Sequence, residues 1–123
     1  MPAQPTCGPA TLADKLNIYA FGICHLEAAN YILTRAVQGR LLDTLQLVWE
    51  DDEAAEIDWP ATLTTTGYLS GGERRLLTLA ASLGSGHPVE LVDALGGLDT
   101  WNAQVVVDAI AHAAGVHFAG YDQ

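Results

Sequence analysis

Tyr68-Leu69-Ser70-Gly71-Gly72-Glu73-Arg74-Arg75 is the stretch from which the fold can be read. Ser70 is of a type that caps helices, and Glu73 stands three residues on, the spacing of a capping box. In that arrangement the serine hydroxyl accepts from the Glu73 amide, and the Glu73 carboxylate reaches back to the Ser70 amide. Leu76, Leu77, Ala80, Ala81 and Leu83 then recur at helical spacing and mark one buried face. Gly84-Ser85-Gly86 supplies the stop. The run therefore predicts the start of a helical C-terminal half.

Outward from this helix the same grammar repeats. Pro88 suits the first position of a short helix over Val89, Leu91, Val92 and Leu95, which Gly96-Gly97 ends. Asp99 is a good cap for a last helix carrying Trp101, Val105, Val106, Ala109, Ile110 and Ala113, closed by Gly115. Val116-His117-Phe118 reads as a short extended segment returning to the body.

Upstream, Thr11 is a plausible cap. Leu12, Leu16, Tyr19, Ile23, Leu26, Asn30, Leu33 and Val37 alternate spacings of four and three, one face of a helix, with Gly39 as its stop. Gly22 sits in the middle, so the pattern allows one rod or two helices broken there. Ile18-Tyr19-Ala20-Phe21 also has strand composition. Asn30 within the apolar stripe either sets register against a partner helix or is satisfied at the margin of the core. Residues 40–49 read as a further short helix with Leu41, Leu42 and Leu45 on its apolar face. Asp58-Trp59-Pro60 reads as a capped turn into a short helix, and 64–67 as a loop.

The expected fold is therefore all-α, a single compact domain of about five or six helices. Residues 1–9 form an arm, 10–118 the helical domain and 119–123 a tail. Within the domain, helices over 11–49 are joined to helices over 70–115 by an acidic connector over 50–68. The three tryptophans, Trp49, Trp59 and Trp101, are expected in the core, although with Tyr68 and Tyr121 they could instead anchor a partner.

Charge narrows function. Five basic residues face fifteen acidic ones across 123 residues, a formal net charge of −10. A nucleic-acid binder needs a positive footprint, so direct nucleic-acid binding is not expected. Glu50, Asp51, Asp52, Glu53, Glu56 and Asp58 place six carboxylates in nine residues, and no Lys or Arg occurs from Leu76 to Gln123. This cluster reads as a solubilising surface, or as a patch for a basic partner. No apolar run approaches the ~20 residues of a membrane span, and the N-terminus lacks the pattern of a secretion signal. A cytoplasmic location is the expectation. Cys7 and Cys24 are too few for a disulfide framework and are expected as reduced thiols.

Leu69-Ser70-Gly71-Gly72-Glu73 resembles the signature loop of ABC-type ATPases. Pro88, Val89-Glu90-Leu91-Val92-Asp93 and Leu98-Asp99 resemble the order of that family's apolar Walker B strand and D-loop. The resemblance covers residues 69–99, a quarter of the chain, and implies a nucleotide contact at the Ser70 loop and a strand ending at Asp93. Two of the family's requirements are missing. Ala94 follows Asp93 where the catalytic Glu belongs, and with Lys15 the only lysine there is no Gly-Lys-Ser/Thr phosphate loop. The usage, with Arg above Lys and abundant Ala and Gly, resembles that of actinobacterial or actinophage proteins.

No other constellation points to catalysis or to a cofactor. There is no Cys-x-x-Cys or His-x-x-x-His pair and no Gly-x-Ser-x-Gly elbow, so no metal is expected. Cys24 and His25 are adjacent and diverge on a helix. Asp108 and His112 lie one turn apart and could share a face. The leading expectation is a non-catalytic protein that binds another protein or itself, such as a phage or mobile-element accessory protein acting on a host factor. The alternatives are a nucleic-acid mimic that antagonises a DNA-binding protein through the 50–58 cluster, and an anion or nucleotide module using the helix start formed by Ser70, Gly71, Gly72, Glu73, Arg74 and Arg75.

Overall fold

A computed structural model of the chain describes residues 10–116. The arm expected over 1–9, with Cys7, and the tail over 119–123, with Tyr121, lie outside these residues, as do His117 and Phe118. Helix α1 spans Leu12–Ala20 and α2 Cys24–Arg35. A 3-10 segment, Ala36–Thr44, leads into strands β1, Leu47–Glu50, and β2, Ala55–Ile57. Four helices follow: α3 Trp59–Thr64, α4 Gly71–Ser85, α5 Leu91–Leu95 and α6 Thr100–Ala113.

The amphipathic stripe over 12–37 breaks at Gly22, whose φ of 82° is open to glycine and costly for other residues. Thr11 caps α1 in a capping box closed by Asp14. Asn30, 5% exposed on α2, donates from Nδ2 to the Leu16 carbonyl at 3.0 Å, so the polar residue in the stripe ties α2 back to α1.

Helix α2 is the centre of the molecule. Ala28, Ala29, Ile32 and Leu33 are fully buried, and the two alanines let neighbours approach closely. Against it lie α4, through Leu76, Leu77, Ala80 and Ala81, and α6, through Val105, Val106 and Ala109. The core is thus a three-helix arrangement with shorter elements around it.

The all-α expectation is corrected in one region. Of residues 40–49, where a short helix was expected, only 40–44 are helical, as a 3-10 turn that follows the left-handed Val37, Gln38 and Gly39. The 3-10 segment ends at Thr44, and Leu47–Glu50 pairs antiparallel with Ala55–Ile57, Trp49 opposite Glu56, with an irregularity at Val48. The expected acidic connector is therefore a β-hairpin followed by α3. The carboxylates themselves favour this outcome: Asp51 Oδ1 accepts from the Glu53 and Ala54 amides at 2.8 Å each and folds the turn. The Trp49 indole donates to Glu56 across the strands at 2.9 Å.

The tryptophans divide. Trp59 is buried, 7% exposed, whereas Trp49 and Trp101 are 40% and 61% exposed, contrary to the expectation of core positions. Each exposed ring is held by its indole N–H, Trp49 on Glu56 and Trp101 on the Arg35 carbonyl at 3.2 Å. None of the described helices is long and apolar enough to cross a membrane.

Candidate functional site

The hairpin leans on α1, and a concavity lies where they meet. A cleft of about 220 Å³ is floored by Leu16, Ala20, Leu26 and Ile57 and edged by Tyr19 and Glu56. A second, wider cleft adjoins it and shares Glu56, Ile57, Trp59 and Ser85. It runs on past Val48, Asp58 and Leu63 to His87. Together they form one groove with an apolar floor. Its ionisable lining groups are the Glu56 and Asp58 carboxylates, Tyr19 and His87, and no Lys or Arg lines either cleft among the described residues.

The edge of the groove is organised. The Tyr19 and Trp49 rings meet edge to face at 5.8 Å, and Lys15 Nζ holds Glu50 at 2.9 Å, so two contacts fix the hairpin to α1. Burial raises the Tyr19 hydroxyl above its usual range, and the neighbouring Glu56 carboxylate adds to this. The six clustered carboxylates have separate duties. Glu50 pairs with Lys15, Asp51 folds the turn, Glu56 holds Trp49 and Asp58 caps α3 through the Ala61 amide at 3.0 Å. The two amides on Asp51, Ala54's first, hold its carboxyl below the usual range. Among the described residues, Asp52 and Glu53 are the members of the cluster whose carboxylates have no hydrogen-bond or salt-bridge partner.

At the start of α4, Ser70 Oγ accepts from the Glu73 amide at 3.1 Å and Glu73 accepts from the Ser70 amide at 3.0 Å. That backbone bond, then the Ser70 hydroxyl and Arg40, keep the Glu73 carboxyl below its usual range. Arg74 donates to the Leu69 carbonyl at 3.1 Å, and Gly71, Arg74 and Arg75 line a cleft shared with Glu90 and Asp93. A carboxylate already occupies this helix start, and two more face the arginines, an arrangement that repels an anion. Gly72 lies beside Gly71 in the first turn, with open space where a side chain would stand. Residues 91–95, where the ABC resemblance implies a strand, are helix α5.

A different cluster was not legible in the sequence. His112 on α6 does not engage Asp108. Its Nε2 stands 2.8 Å from Glu27 Oε1 on α2, while Asp108 accepts from the Tyr31 hydroxyl and from Gln104. Glu27 Oε2 accepts from the Gly22 amide at 3.0 Å. The His112 bond first, and the Gly22 amide second, hold the Glu27 carboxyl below its usual range. Cys24, exposed and one turn before Glu27, completes a set of thiol, carboxylate and imidazole whose ligand atoms lie within 4.8 Å of one another. The Cys24–Glu27 spacing of three was visible as one helix face; the partner 85 residues away was not. His25, which diverges from Cys24, places Nδ1 3.0 Å from the Leu83 carbonyl.

No protein-family model, curated protein or solved structure matches the chain.

Proposed function

We propose that this chain is a small acidic, non-catalytic binding protein, and that the groove beneath the hairpin receives a large apolar side chain from a cationic segment of a partner protein. The observation that carries this reading is the groove itself: an apolar floor continuous across two clefts, edged by Glu56 and Asp58, with no Lys or Arg in its lining. An apolar anchor gains from the floor at roughly 25 cal/mol per Å² removed from water. Lys or Arg beside it would face carboxylates, which favours encounter and orientation more than raw affinity. The formal charge of −10 extends the same preference to longer range.

Selection of a displayed random-peptide library on the purified protein tests this. Sequences combining Lys or Arg with one large apolar residue should be enriched, and their binding should fall at least tenfold on Tyr19→Ala/Glu56→Gln. Enrichment of acidic peptides, or binding indifferent to that double substitution, would sink the proposal.

A second reading, mimicry of nucleic acid, is favoured by the four consecutive exposed carboxylates at the hairpin tip, Glu50 to Glu53. It requires binding to a basic protein that weakens steeply with salt. Joint neutralisation of Asp51, Asp52, Glu53 and Glu56 should abolish such binding, whereas the groove reading tolerates the loss of Asp52 and Glu53, which neither fold the turn nor line the groove.

A further inference from the structure

We infer that Cys24, Glu27 and His112 form a zinc site that staples α2 to α6. The three ligand atoms lie within 4.8 Å of one another. Around a tetrahedral zinc, with bonds of roughly 2.0–2.3 Å, ligand atoms stand roughly 3.4–3.6 Å apart. Closing the set around an ion therefore takes movements of roughly 1 Å, within the reach of side chains at the surface. The Cys24 side is exposed, and the Glu27 and His112 side chains are 31% and 46% exposed, so nothing buried has to move.

The donor set selects the metal. Sulfur, nitrogen and oxygen together suit zinc, whereas magnesium and calcium want oxygen alone. Three protein ligands leave a fourth position for water or for a donor from a bound partner. The outer shell is already in place. The Gly22 amide holds Glu27 Oε2, so Oε1 is the oxygen presented to His112 Nε2. That amide is delivered by the turn at Gly22, with φ of 82°, so the break between α1 and α2 also orients the carboxylate. Zinc would displace the proton shared between Glu27 Oε1 and His112 Nε2, which leaves to solvent or moves to His112 Nδ1 so that Nε2 is free to bind. The thiol proton of Cys24 would pass to solvent as the sulfur binds, so affinity should rise with pH.

The effect is mechanical. α2 and α6 already pack through Ala29, Ile32 and Val106 in the core. The site lies beside a cleft lined by Asn17, Phe21, Tyr31 and Asp108, so an ion would fix the outer ends of both helices there.

The test uses the full chain, stripped with a chelator and kept under reducing conditions. Calorimetry should show uptake of one equivalent of Zn2+ and a rise in Tm. One equivalent of Co2+ should give a thiolate-to-metal charge-transfer band. Cys24→Ser should lose that band, and both Cys24→Ser and His112→Ala should weaken zinc at least tenfold while keeping the helical circular-dichroism spectrum. Asp52→Asn, outside the site, should bind as the parent does. Absence of stoichiometric uptake by the parent, or uptake that survives both substitutions, overturns the assignment.

Discussion

Ser70 and Glu73 show how much a few side chains settle locally. Each satisfies a backbone amide that the helix start would otherwise leave unpaired. Ser70→Ala should cost about 1 kcal/mol in chemical denaturation. The Glu73 carboxyl is held below its ordinary value of 4.5, chiefly by the Ser70 amide. A carboxylate of this kind contributes stability that is complete above its unfolded value and is lost as pH falls through the lower folded value. Denaturation midpoints should therefore drop as pH is taken below about 4.5, and Glu73→Gln should reduce the steepness of that drop. Asn102 settles a harder point. Val37 has φ of 42°, unusual for a β-branched residue, and its amide donates to Asn102 Oδ1 at 3.0 Å. Asn102 is only 8% exposed and is itself held by Asp99. Asn102→Ala should cost about 1–3 kcal/mol, because the Val37 amide loses its acceptor in a strained turn. A loss near zero by urea titration would show that the turn holds without it.

Among the elements, α4 carries the clearest packing constraint. A methyl group on Gly84 would stand 2.7 Å from Trp59 Cζ2, and the Trp59 ring is buried. Gly84→Ala should therefore destabilise by about 1–3 kcal/mol despite the better helix propensity of alanine. The expected readout is a lower Tm with a shifted tryptophan emission. A stabilised variant would show that the ring can yield. Gly84 read in the sequence as part of a helix stop, but the helix runs to Ser85 and only Gly86, with φ of 76°, is the left-handed cap. Capping residues and apolar periodicity made α1, α4 and α6 legible, because those signals are local. The hairpin was hidden for the opposite reason. Leu41, Leu42 and Leu45 fit a helical stripe, while Leu45, Leu47 and Trp49 fit a strand, and the bulge at Val48 disturbs the ladder. What decides between them is tertiary: the Gln46 amide donates to Thr62 Oγ1, and Gln46 accepts from Asp58. The groove and the Cys24–Glu27–His112 cluster were illegible on the same ground, since each joins residues from elements far apart in the chain.

For the whole molecule the governing quantity is charge. Fifteen acidic groups against five basic ones should make the folded chain repel itself. The surface offers little local relief. Lys15 and Arg40 each hold one carboxylate, Glu50 and Glu73, and exposed pairs of this kind contribute at most about 1 kcal/mol. From Leu76 onward no Lys or Arg is present, so α5 and α6 have none of their own. Salt therefore screens more repulsion than attraction. Raising ionic strength from about 0.01 M to about 1 M shortens the screening length from roughly 30 Å to roughly 3 Å. The Tm in chelator should rise steadily over that range with sodium chloride. Joint neutralisation of Asp52 and Glu53, which have no hydrogen-bond or salt-bridge partner among the described residues, should raise the low-salt Tm and flatten the salt dependence. A Tm that falls with salt would mean that the few cations hold more carboxylates in place than their geometry indicates. Zinc is distinguishable in the same experiment. Screening by sodium acts through ionic strength and leaves Cys24→Ser and the parent alike, whereas an ion held at Cys24, Glu27 and His112 acts at one equivalent and only in the parent.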